Sequence, residues 1–319
     1  MFKPFSTKTS AAGLSILSNS LLVVFKLVIG IAMGSVSVLA EAIHSGVDLL
    51  AALIAFFSIR AAARPADSTH NFGHGKIENV SGTVEGILIF GAAGFIVYEA
   101  IEKIIHVPEV ELLGLGITIM SVSALSNFIV SRHLHRVARR TDSVALEADA
   151  WHLTTDVYTS AGVMAGLTAV WLTGWHILDP LIAISVAGLI IKAAWGITRK
   201  SFRPLLDARL PKHELKAINA CITAYTGNAI SYHDLKTRKS GSQRFIDMHL
   251  VLPKSITLEE AHRICDLIER DITERLSNSH VTIHCEPCET GADGTCPVGC
   301  PATKNCPTPP ATQMPRRRA

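Results

Sequence analysis

Two copies of a His-x-x-x-Asp step lie inside strongly apolar stretches of this chain, His44 with Asp48 and His152 with Asp156. A four-residue step stacks the two side chains on one face of a helix. Ionisable groups at membrane depth are costly, and where they persist they mark an ion pathway or a paired site. Two helices that each bring an imidazole and a carboxylate supply four ligands for Zn²⁺ or a similar divalent ion. Two neutral imidazoles and two carboxylates also leave such a site without net charge, which suits a low-dielectric surrounding. A single buried His or Asp would read as a hydrogen-bonding residue that holds a bundle together. The repetition of the pair in separate stretches favours a metal instead. Glu41 and Asp149 fall one turn before each pair, as groups that feed ions or protons inward or as partners that orient the ligands.

The elements that must position these pairs are membrane helices. The 319 residues are 48% hydrophobic and 18% charged, and the charge is unevenly spread. A span needs roughly 20 mostly apolar residues, which predicts six spans at about 11–33, 36–62, 78–103, 112–133, 145–173 and 177–198. Asn19 and Lys26 interrupt the first, and no small-residue cleavage site follows, so it reads as a span and not as a secretory signal. Lys26 is expected to snorkel from near a helix end, and Glu85 to pair inside the bundle.

Basic residues set the orientation. Lys3 and Lys8 precede the first span, and Arg60, Arg64 and Lys76 fall between the second and third. Arg132, Arg136, Arg139 and Arg140 fall between the fourth and fifth, and Arg199, Lys200 and Arg203 follow the sixth. The alternate loops around 31–35, 107–111 and 173–175 carry no Lys or Arg. Both termini are therefore expected in the cytoplasm, with the protein integral to the cell membrane. A formal net charge of +3 gives no argument for nucleic acid as a partner. Five of the seven cysteines crowd the last stretch, on the expected cytoplasmic side where thiols stay reduced.

The fold class expected is thus an α-helical membrane protein, a six-span bundle over residues 1–206, followed by a small cytoplasmic α/β domain over 207–287. Within that domain 211–225 reads as an amphipathic helix, and 230–237 and 244–252 as strands joined by a turn at 239–242. Thr257 and Glu260 form a capping box opening a helix to about 276, and 280–286 reads as a last strand. The order αββαβ is compatible with two helices on one face of a three-stranded sheet. Residues 288–319, rich in Pro, Gly, Thr and Cys and closing on Arg316, Arg317 and Arg318, read as a disordered tail. In Cys285-x-x-Cys288, with Cys296, Cys300 and Cys306 beyond, there is half of a zinc-type spacing at the start of that tail.

The stretches AEAIHSGVD (40–48), FGHGKIENVSG (72–82) and EADAWHLTTD (147–156) carry a resemblance. The chain resembles the cation diffusion facilitators, six-span metal-ion/proton antiporters with a cytoplasmic αββαβ domain, to about residue 287. The resemblance implies a transport site at His44, Asp48, His152 and Asp156, and the histidine of the second-span pair implies zinc-type rather than manganese-type selectivity. It implies that Asp67, His70 and His74 form a peripheral site in the loop after the second span, against the plain reading of a solvated basic loop. Lys76 resembles a lysine that meets an aspartate beyond span six at the centre of a homodimer, and Asp207 is the matching residue. Finally, it implies a zinc-binding cluster in the cytoplasmic domain from His233, His249, His262, His284 and Glu286, where Glu286 stands in place of a more usual Asp.

The activity expected is efflux of a divalent cation, Zn²⁺ foremost, coupled to proton antiport by alternating access, with zinc also a regulatory ligand. Fe²⁺, Co²⁺, Cd²⁺ and Ni²⁺ suit the same N/O ligands. A membrane-bound metal sensor is the rival among non-enzymes. An intramembrane zinc hydrolase is disfavoured, because no His-Glu-x-x-His occurs and a symmetric His/Asp set offers no distinct general base.

Overall fold

The computed structural model describes residues 7–33, 36–105, 113–175, 177–225 and 231–288. The expected tail beyond 288, with Cys296, Cys300 and Cys306, lies outside the described residues, as does the start of the first expected strand at Ile230. Nothing is described of the Glu41 side chain.

Contacts divide the chain into two compact units that meet between Leu206 and Asp207 in sequence. The first contains six long helices: α1 (Lys8–Met33), α2 (Val36–Ala62), α3 (Lys76–Ile105), α4 (Leu113–Thr141), α5 (Val144–Thr173) and α6 (Leu178–Phe202). Among the described residues, four stretches in them are long and apolar enough to cross a membrane: Lys8–Ala32, Ala42–Ala62, Lys76–Ile105 and Leu178–Leu206, the last including the short turn after α6. The fourth expected span stops at 133, yet α4 continues to Thr141, so Arg136, Arg139 and Arg140 lie on its last turns and not in a loop. Cationic side chains there complement the negative end of the helix dipole.

Packing within this unit is inverted relative to a water-soluble protein. Small residues fill its interior, including Ala11, Ala12, Ala138, Ala145 and Ala150 around Leu134, Leu146 and Leu153. Large apolar side chains such as Leu21, Val28, Phe57, Phe95, Leu189 and Trp195 face outward. Such a surface suits lipid, and small residues let helix backbones approach closely. At Gly82 and Gly86 of α3 a Cβ would collide with Ser201 and Thr198 of α6, so these two helices need glycine there.

Local chemistry fixes the start of α5, the helix that carries His152 and Asp156. Asp142 turns the chain at φ +52°, and the Ser143 hydroxyl accepts from the Leu146 N–H as the N-cap. That hydroxyl also donates to Glu78 of α3 at 2.6 Å, and the same carboxylate takes the Lys8 ammonium of α1 at 2.9 Å. Glu78 thereby ties the ends of three helices together.

The second unit runs α7 (Lys212–Thr223), β1 (Ser231–Ser240), β2 (Gln243–Leu252), α8 (Leu258–Arg275) and β3 (Ser279–Pro287). The sheet order is β1-β2-β3, and β2 pairs with β3 in parallel through the α8 crossover. Alternation in β2 buries Ile246, Met248, Leu250 and Leu252 against the helices, around Ile218, Ile222, Ile264, Ile268 and Ile272. The opposite face is left to Phe245, Asp247, His249 and Val251. Thr257 caps α8 by accepting from the Glu260 N–H, as its spacing implies. Arg244 forms a buried two-pronged pair with Glu214 at 2.7 and 3.0 Å and also donates to the Ser277 carbonyl.

Candidate metal centre

The two His-x-x-x-Asp steps converge where α2 meets α5. The His152 Nε2 lies 3.0 Å from Asp48 Oδ1, joining residues 104 apart in sequence. His44 Nε2 lies 4.0 Å from that same oxygen, and ligand atoms of His44, Asp48 and Asp156 fall within 4.8 Å of one another. Asp48 and His152 are buried, Asp156 is half-buried, and His44 is 57% exposed, so the cluster has one open side. All four residues are brought together, with Asp48 as the shared member.

Several polar neighbours escape a reading of spacing. Asn127 of α4 donates to Asp156 Oδ2 at 3.3 Å, and Ser15 of α1 donates to the buried Asp149 at 3.2 Å. The signal that could have found Asn127 is an amide in an otherwise apolar span, since polar side chains there are placed toward the bundle interior. Lys26 does not snorkel. It is 4% exposed and donates to the Ser45 hydroxyl, next to His44, at 2.9 Å, because its helix turns that side inward. Glu85 is fully buried and accepts from Ser81 at 3.4 Å, while its Oε2 has no hydrogen-bond partner among the described residues.

In the loop between α2 and α3, Asp67 reaches His70 Nδ1 at 3.5 Å and His74 Nε2 at 3.4 Å, and the three form a second compact set of ligand atoms. The Asp67 carboxylate accepts from the Thr69 hydroxyl and from the N–H groups of His70 and Thr69. These hydrogen bonds to the charged form, with the Thr69 hydroxyl first, hold its pKa down at about 2. The His74 Nδ1 is buried without a partner among the described residues.

The third set lies on the open face of the β-sheet. Register places His249 opposite His284, and Val251 opposite Glu286. Glu286 reaches His249 at 2.8 Å, His233 at 3.4 Å and His284 at 3.8 Å, which makes it the shared carboxylate. His233, His249 and Glu286 have ligand atoms within 4.8 Å of one another. Asp234, on β1 at φ +50°, adds a carboxylate 3.7 Å from His249. The Lys236 ammonium, 2.6 Å away, holds that carboxyl below its usual range. His262 is not gathered with this set: it is 75% exposed on α8, 3.7 Å from Asp266.

Cys285 and Cys288 are also kept apart by strand geometry, in which a three-residue step changes face. Cys285 turns to Cys265 of α8, and Cys288 is buried just beyond the strand, its N–H bonded to the Leu252 carbonyl. Lys76 opens α3, whereas Asp207 begins the second unit at φ +51°, 3.6 Å from Arg238.

A bundle of long helices with outward apolar side chains and an inward His/Asp cluster defines an integral membrane protein with a candidate cation site. Comparison with known proteins agrees. Residues 13–206 match the cation efflux transmembrane domain, and residues 210–288 match the cation efflux protein cytoplasmic domain. The chain belongs to the cation efflux, or cation diffusion facilitator, family and is a cation efflux transporter. It is 40% identical over 256 residues to the uncharacterized transporter sll1263 of Synechocystis, covering 80% of this chain and 83% of that one. It is 34% identical over 269 residues to the cation-efflux pump FieF of Escherichia coli K12, covering 84% and 89%. A solved structure of CzrB in its Zn form is 40% identical over 25% of this chain and 90% of its own, with a TM-score of 0.24.

Proposed function

We propose that this transporter moves Zn²⁺ out of the cytoplasm in exchange for protons, by alternating access around His44, Asp48, His152 and Asp156. The observation that carries the reading is the position of Asp48, whose carboxylate is shared by histidines from two different helices. Two imidazoles and two carboxylates match the charge and softness of zinc better than an all-oxygen set. Imidazole binds metal only when neutral, and free histidine titrates near 6.5, so protons and metal compete for the same nitrogens. When the site opens to a more acidic exterior, protonation releases the metal.

Six crossings with both termini in the cytoplasm complete the proposal, supported by the alternating basic loops. The protein acts as a homodimer, with Lys76 of one protomer facing Asp207 at the dimer centre. Zinc at His233, His249, His284 and Glu286 draws the cytoplasmic domains together and favours transport when cytosolic zinc is high. Asp67, His70 and His74 hold a peripheral ion.

The test is zinc flux in reconstituted vesicles containing a zinc dye and a pH dye. Wild-type protein should move the two ions in opposite directions, and Asp48→Ala and Asp156→Ala should move neither. Zinc flux that survives either change sinks the four-ligand site. Zinc flux without proton counterflow sinks antiport, and a panel of Fe²⁺, Co²⁺, Cd²⁺ and Ni²⁺ in the same vesicles ranks the substrates.

A further inference from the structure

Cys265 and Cys285 approach each other across the interior face of the sheet. Their sulfurs are 3.0 Å apart, one on α8 and the other on β3. No other pair of thiols among the described residues makes so close a contact. A disulfide has sulfurs about 2.05 Å apart, so bond formation requires an approach of about 1 Å between side chains that already face each other. A shared zinc ion is the competing use of two thiols. It wants about four ligands, and among the described residues neither sulfur belongs to a set of three closely placed ligand atoms.

We propose that Cys265 and Cys285 are a reversible modification site, closing to an intramolecular disulfide when they meet an oxidised low-molecular-mass disulfide. Exposure sets the order of events. Cys285 is exposed and Cys265 is buried, so Cys285 is the thiol that a small oxidant reaches. Its thiolate, having given its proton to water, attacks one sulfur of the small disulfide. That step forms a mixed disulfide and expels one small thiolate. The Cys265 sulfur then attacks the Cys285 sulfur and displaces the second small thiolate, and its own proton leaves to solvent. The balance is two protein thiols and one small disulfide converted to one protein disulfide and two small thiols, with two electrons passed to the oxidant.

Burial, and then the Cys285 thiol beside it, push the Cys265 thiol up to about 12, so Cys265 does not start the exchange. The consequence lies on the other face of the same strand. His284 and Glu286 flank Cys285 in sequence and point away from α8, so a bond at Cys285 ties the strand that carries them to the helix.

The experiment uses the full chain in detergent micelles, with Cys296→Ser, Cys300→Ser and Cys306→Ser as background to remove the remaining tail thiols. Protein is exposed to oxidised glutathione, free thiols are alkylated, and the digest is mapped by mass spectrometry. The expected result is a peptide pair linked through Cys265 and Cys285 that is lost on treatment with dithiothreitol. In Cys285→Ser, Cys265 should remain a free thiol, alkylated only after denaturation. The inference is overturned if Cys285 stops at the glutathione adduct, bonds to Cys288, or remains free while Cys265 is untouched. None of these readouts depends on transport, so failure here leaves the zinc assignment standing.

Discussion

Asp48 on α2 and His152 on α5 are joined by a 3.0 Å contact, and Asp48 also faces His44 one turn away on its own helix. The carboxylate is therefore the hub of the cluster, and the two helices are coupled through it. Asp48→Asn keeps the shape and removes the charge. Zinc flux in vesicles should fall by at least about 100-fold, the upper end of what loss of an orienting partner costs a metal site. Near-normal flux would show that the hub is structural.

Asn127 holds Asp156 from α4 without being placed among the four ligands. Asn127→Ala should weaken half-saturation for zinc by about 10-fold, as loss of an orienting partner does. Maximal flux should change much less. A fall in maximal flux with unchanged half-saturation would instead place Asn127 in the conformational step.

Glu286 meets three histidines on the sheet face, far in sequence from the membrane pairs. Glu286→Gln should lower the zinc content of the purified protein by at least one ion per chain. It should leave flux at saturating zinc measurable, with activation shifted to higher zinc. Unchanged metal content, read by elemental analysis, would remove the cytoplasmic cluster as a zinc site.

Asp67 has its pKa held down at about 2 by hydrogen bonds from Thr69 and His70. A carboxyl depressed in the fold contributes stability at every pH above its unfolded value, about 4, and that contribution is lost as pH falls through the folded value. The turn at Asp67–His70, followed by the amide shifts of Thr69 and His70, should therefore hold down to about pH 4 and open toward pH 2. An Asp67 titration observed near pH 5 would contradict this.

The buried Arg244–Glu214 pair predicts a stability effect separate from metal. Glu214→Ala leaves the guanidinium buried without its carboxylate, and breaking such a pair costs about 3–5 kcal/mol. Denaturant melts of the full chain should show the transition of the second unit shifted to match. A shift below about 1 kcal/mol would mean that water replaces the carboxylate.

Sequence by itself determined the parts that follow from periodicity and composition. The paired four-residue steps put each His above its Asp, the long apolar runs required helices, and the Thr257/Glu260 spacing marked the start of α8. Alternation in β2 put Leu250 and His249 on opposite faces of the strand, whatever that strand pairs with. These are local constraints, in which backbone geometry alone fixes which side chains share a face.

Tertiary structure decided what those faces meet. No spacing rule brings Asn127 to Asp156 or turns Lys26 inward to Ser45, because both depend on how helices from distant parts of the chain rotate against each other. The β2–β3 register assembled His249, His284 and Glu286 and left His262 on the outer side of α8. The same register separated Cys285 from Cys288 and set Cys285 against Cys265. A Cys-x-x-Cys written in sequence counts residues, whereas an extended strand sends the two ends of that count to opposite faces.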